Sequence, residues 1–95
     1  MSNYGKGRRR EYRAQAILEA AVYSTIRAAS SKGAADVVGI RRGEVRLISV
    51  KSGGAYASAV EREQLHALAA EALGCYTVEI WRFPARCRQP LIEVL

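Results

Sequence analysis

Apolar positions recur along this 95-residue chain at two different periods, and the switches between them divide it into elements. From about Gly7 to Ala21 the apolar residues Ala14, Ile17, Leu18 and Ala21 follow the i, i+3, i+4, i+7 spacing of an amphipathic helix. Glu11 extends the same stripe by one turn. From Val22 to Ala29 the period drops to two, with Tyr23, Thr25 and Arg27 on one face of a strand and Val22, Ser24, Ile26 and Ala28 on the other. A turn at Ser30-Ser31-Lys32-Gly33 leads into Ala35–Lys51, which reads as a hairpin of two apolar strands joined at Arg42-Gly43. Its Val37, Val38, Ile40, Val45, Leu47, Ile48 and Val50 are apolar enough for the middle of a sheet.

After a small-residue loop over 52–57, Ser58 and Glu61 form the Ser-x-x-Glu capping box of a helix predicted to run to Leu73, with Gly74 as its stop. Its stripe is Leu65, Leu68, Ala69 and Ala72. A helix between two strands is the usual crossover, so the next strand, Cys75 to Phe83, is expected in the same sheet, ended by Pro84. The apolar tail Leu91–Leu95 is expected to be an edge strand or a subunit contact. The result is one small α/β domain over residues 1–95, a mixed sheet flanked by helices in the order α-β-β-β-α-β, with a flexible basic arm at 1–7 and a tail at 84–95.

The hairpin concentrates chemistry. With Arg42-Gly43 at the turn, Arg41 faces Glu44 and, stepping outward, Asp36 faces Ser49. Directly opposed Cβ atoms lie roughly 4.5–5.5 Å apart. Ser49 and Lys51 share a face, so a carboxylate, a hydroxyl and an ammonium converge on one patch. A mid-strand Asp among valines is costly without a purpose; a salt bridge to Lys51 is the alternative reading.

Charge narrows the partner. Twelve arginines and three lysines against nine acids give a net charge of +6, which points to a polyanion, and arginine's planar fork favours nucleic acid over a membrane surface. No apolar run approaches the ~18 residues of a membrane span and no leader pattern is present, so a cytoplasmic protein is expected. Cys75 and Cys87 have neither CxxC nor histidine neighbours and read as a buried thiol and an incidental one. The single histidine, His66, sits on the second helix and reads as solvated or capping rather than catalytic. No glycine-rich phosphate loop, nucleophile elbow or zinc pattern occurs.

Glu11 near the start of a helix, basic Arg27 on a strand, the Ser-rich turn, then Asp36 and an apolar strand ending in Val50-Lys51-Ser52 together resemble the PD-(D/E)xK nuclease superfamily. Within it, the small size, the Arg9-Arg10-Glu11 start and the Ser31-x-Gly33-x-x-Asp36 turn resemble archaeal-type Holliday junction resolvases over about residues 6 to 82. The resemblance implies a restriction-endonuclease-like core, a homodimer and Mg²⁺-dependent cleavage of four-way DNA junctions, with Mn²⁺ as a substitute. It also implies Asp36 as principal metal ligand, the Val50 carbonyl and Glu11 as further ligands, and Lys51 as the group that orients the attacking water or opposes developing charge. Ser49 stands where the family has an acidic residue. Glu63, early in the second helix, is a candidate to fill that gap, beside the default of a solvated Glu.

For Glu11 the ordinary alternative is a pair with a neighbouring arginine. DNA contacts are expected from Lys6, Arg8, Arg9, Arg10, Arg13, Ser31 and Lys32, with Arg27 nearer the scissile phosphate, and an apolar dimer interface from Trp81, Phe83 and the tail. Three functions are compatible with these residues: an active junction-resolving endonuclease, a catalytically weak branched-DNA-binding protein or different small nuclease of the same fold, and a basic structural protein. None calls for a small-molecule substrate.

Overall fold

The computed structural model describes residues 3–27 and 35–95, with side chains from Arg9 onward. Its elements are α1 (Asn3–Ala20), β1 (Ser24–Arg27), β2 (Val37–Arg41), β3 (Glu44–Ser52), α2 (Ala59–Ala70), β4 (Thr77–Phe83) and β5 (Leu91–Val94). The strands form one sheet in the order β1-β2-β3-β4-β5, in which only β3 and β4 run parallel. That single parallel pair follows from α2, because a crossover carries the chain from the end of β3 back to the end of the sheet at which β3 began. This is the α/β mixed sheet with a helix on each side that the pattern predicts.

The two faces carry separate cores. Under α1, Ala14 and Leu18 pack with Tyr23, Val37, Ile48, Trp81 and Phe83. Under α2, Leu65 packs with Val78 and Ile80, flanked by Leu47, Leu68 and Ala69. At Gly39 α1 packs tightly on the sheet: a Cβ there would lie 3.2 Å from a Leu18 methyl, so a larger residue would require the Leu18 side chain to give way.

The hairpin register agrees with the reading of the turn, from Arg41 opposite Glu44 to Val37 opposite Ile48. Arg42 and Gly43 both have positive φ, 37° and 81°, the primed turn that matches the twist of its strands.

Element ends differ from expectation for local reasons. α1 reaches back to Asn3, so the backbone of residues 3–7 is helical where a flexible arm was expected. Gly5 and Gly7 weaken a helix but, unlike proline, leave its hydrogen bonds intact. At the other end Tyr23 N–H donates to the Leu18 carbonyl and Val22 N–H to that of Glu19, each at 3.0 Å, a Schellman cap. This cap puts Val22 at φ 69° and delays β1 to Ser24. Ala28 and Ala29, the expected end of that strand, and the turn at 30–33 lie outside the described residues.

α2 starts as predicted at the Ser58 cap but ends at Ala70 rather than Leu73. Glu71 and Ala72 N–H groups donate three residues back, tightening the last turn, before Leu73 and Gly74 both take positive φ. The connection holds Cys75 exposed, which corrects the expected buried thiol and defers β4 to Thr77. Trp81 and Phe83 are wholly buried beneath α1 and so cannot line a subunit interface. Leu91, Ile92 and Val94 remain exposed along the edge strand β5.

Glu79 is buried at 2% exposure, yet fully satisfied. Arg46 holds it bidentately at 2.7 and 2.8 Å, and Thr77 and the Trp81 indole donate at 2.6 and 2.9 Å. Burial alone pushes this carboxyl up, but Arg46, Thr77 and Trp81 outweigh burial and hold it below the usual range. The Arg46 guanidinium in turn lies 5.3 and 5.4 Å from the Tyr23 and Trp81 ring centres.

Among the described residues with left-handed φ other than glycine, Val22 is the β-branched one, and it is 78% exposed. Val22→Gly should therefore raise the stability by about 1 kcal/mol, read as a higher urea midpoint at unchanged slope.

Candidate active site

The open end of the β2–β3 hairpin carries the candidate chemistry. Asp36 lies one step beyond the ladder: its N–H donates to the Ile48 carbonyl at 2.8 Å, and its Oδ2 accepts the Val50 N–H at 2.7 Å. The side chain thus takes the place of a strand carbonyl and brackets Ser49 from both sides, in place of the simple face-to-face pair the register suggested. Ser49 is buried at 2% exposure, and the pleat puts it with Lys51 on the α2 face of β3.

Burial is the main reason the Asp36 carboxyl is pushed above its ordinary range; the Val50 amide opposes this. Glu11 and Glu61 push it further up through their charge, and Lys51 pulls it down. Two further carboxylates and one ammonium therefore sit within electrostatic reach of Asp36. Lys51 Nζ donates to Glu61 Oε2 rather than to Asp36. Glu61 Oε1 meanwhile accepts the Ser58 N–H at 3.1 Å, closing the capping box. The Glu61 carboxyl is held below the usual range, first by Lys51 and then by the Ser58 amide.

The acid that α2 brings to the hairpin is thus Glu61. Glu63, the candidate from sequence, is exposed, because two residues turn a helix by roughly 200° and carry it off the sheet-facing side. Glu11 makes an ion pair at 3.0 Å with Arg27 across on β1 rather than with a neighbouring arginine of its own helix, and its charge also raises Asp36. Arg27 itself lies 4.9 Å over the Tyr12 ring. Val50 engages Asp36 through its N–H. Among the described residues no three His, Cys, Asp or Glu side chains form a ready-made cage for an ion.

A cleft of about 830 Å³ is lined by Arg9, Arg10, Arg13, Arg86 and the loop 52–55 that directly follows Lys51 in the chain. Gly53 and Gly54 have nothing within 4 Å of where a Cβ would be, so the loop backbone is open to a ligand. Arg10 lies 5.8 Å over the Phe83 ring, and Arg13 Nε donates to the Arg88 carbonyl at 3.1 Å, which ties the tail to α1. Arg86 is a lining residue that sequence reading did not assign. The side chains of Lys6 and Arg8, and all of Ser31 and Lys32, lie outside the described residues.

The profile of the family described as archaeal Holliday junction resolvase (hjc) matches residues 2–84. Among solved structures, the Holliday junction resolvase Hjc of the archaeal hyperthermophile Archaeoglobus fulgidus is similar, with 26% identity and a TM-score of 0.71 over 95% of this chain and 71% of that one. A search of curated proteins found no match.

The Asp36 charge is a burden on the metal-free fold, because its burial is only partly offset by one amide and one ammonium. Asp36→Asn keeps an acceptor for Val50 N–H and removes the charge. It should raise the denaturation midpoint of the metal-free protein, measured by urea titration in a chelating buffer at neutral pH.

Proposed function

Because the chain belongs to the archaeal Holliday junction resolvase family and is a junction-resolving nuclease, we propose that it cuts four-way DNA junctions endonucleolytically, by Mg²⁺-assisted phosphodiester hydrolysis at Asp36 and Lys51. The observation that carries this reading is Asp36, fixed by the Val50 amide at the open end of the hairpin that also carries Lys51, with the loop after Lys51 lining an arginine-rich cleft.

The donor set suits such an ion. All donors are oxygens, and Mg²⁺ is commonly held by one or two carboxylates with water and substrate phosphate completing the shell, so no all-protein cage is needed. Asp36 is the principal ligand. The Val50 carbonyl and Glu11 are the further ones that the family resemblance implies. When bound, the cation supplies Lewis-acid polarisation of the phosphate and activation of a water, and Mn²⁺ serves in its place.

The remaining work falls to the chain's own groups. The Val50 amide fixes the Asp36 carboxylate, and Lys51, steadied by Glu61, opposes the negative charge that builds on the phosphate. Arg27 keeps Glu11 in place while the latter faces the cluster. Arg9, Arg10, Arg13 and Arg86 grip the phosphates on either side, joined by Lys6, Arg8, Ser31 and Lys32. A symmetric homodimer presents two such sites to the two strands that must be cut, with the exposed apolar edge of β5 as its contact.

Wild type should cleave a synthetic four-way junction with Mg²⁺ and bind it without cleavage in chelator, whereas Asp36→Asn should bind and not cleave. Undiminished cleavage by Asp36→Asn would remove this site from the mechanism. Because the neutral Ser49 leaves β3 one carboxylate short, a binding protein without turnover is the second reading, and metal-independent binding with no cleavage by wild type would favour it. Removing Arg9, Arg13 and Arg86 together should flatten the log–log salt dependence of junction affinity by about 0.9 per lost phosphate contact.

A further inference from the structure

The cation site as read above is short of a second strong ligand on β3. Position 49 is buried and carries only a hydroxyl, which contributes no formal charge to a hard cation. A neighbouring element therefore has to supply the missing oxygen, and the fold brings one there. Resting on that reading of the site, we propose that Glu61 supplies the second carboxylate of the cation site, in place of the acidic side chain absent at position 49.

The geometry favours this residue over every other acid on α2. The Ser58 hydroxyl accepts the Glu61 N–H at 3.1 Å, and Glu61 Oε1 accepts the Ser58 N–H at 3.1 Å, so the helix start fixes both the backbone and one oxygen of this side chain. Its other oxygen reaches across to Lys51 on β3. A carboxylate offers roughly four lone-pair positions. The cap and Lys51 take one each, which leaves two for an ion. Glu61 is within charge reach of Asp36, whereas Glu63 and Glu71 are exposed on α2 and in the turn after it. A side chain held at both oxygens has already lost most of its rotamer freedom, so recruiting it to an ion costs little more entropy.

A purely structural Glu61 would need no charge for its cap, because glutamine fills the third position of a capping box as well as glutamate does. Glu61→Gln therefore separates helix capping from ion binding. The experiment is calorimetric titration of the full chain with Mn²⁺ alone, without DNA, beside urea denaturation of each variant. Glu61→Gln should weaken Mn²⁺ binding by roughly ten- to a hundredfold with the helix intact, in the range of losses seen when a group supporting a metal is removed. Glu63→Gln should bind as wild type, and adding Ser49→Glu to Glu61→Gln should restore affinity.

If Glu61→Gln binds Mn²⁺ like wild type while Asp36→Asn loses it, the role assigned to Glu61 is wrong and the site stands. If Asp36→Asn also binds like wild type, the site itself is wrong. Should Glu61→Gln fail to fold, Ser49→Glu in the otherwise unaltered chain decides: no tighter binding is expected of a site that Glu61 already completes, and a tenfold gain would overturn the proposal.

Discussion

The two-residue turn at Arg42-Gly43 is the constraint on which the rest of this structure depends. Its left-handed pair of residues sets which side chain of β2 meets which of β3. With that register, Val37 and Ile48 enter the core beneath α1, while Ser49 and Lys51 turn towards α2. A slip of one residue would exchange the two sets, burying the ammonium under α1 and exposing the core. The chemistry and the packing are therefore specified together, and neither can be altered at the turn without the other.

The same sheet treats two buried carboxylates in opposite ways. Glu79 is surrounded by a bidentate arginine, a hydroxyl and an indole, and is held below the usual carboxylate range. Asp36 has one amide, with two further carboxylates nearby, and is pushed above it. A charge fully satisfied inside the fold keeps a structure in register, whereas one left short of compensation marks a place where a cation from outside improves the energy. The contrast separates an acid satisfied within the fold from one left short of compensation in the same domain.

The sign of charge changes over a short distance. The carboxylates gather at the mouth of the hairpin, and the arginines of α1 and the β4–β5 connection gather along the cleft that opens past Lys51. The cleft, lined by four arginines, suits a phosphate backbone. The net charge of +6 thus reflects a division of surface as well as a general attraction to polyanions.

Sequence alone determined the features made by neighbours in the chain. The helix stripes, the Ser58–Glu61 capping box, the hairpin register, the crossover and the candidacy of Asp36 and Lys51 could all be read from it, because each rests on contacts within a few residues or across one tight turn. Tertiary structure alone decided which distant groups meet. It put Glu61, legible beforehand only as a cap, against Lys51, and turned Glu63 out to solvent. It brought Arg86 from the tail to the arginines of α1, buried Trp81 and Phe83 that were expected at an interface, and exposed Cys75. Each of these turns on the path of a connecting loop and the angle at which a helix lies on the sheet. Both are set by the sum of packing over the whole core, and no local pattern of residues encodes them.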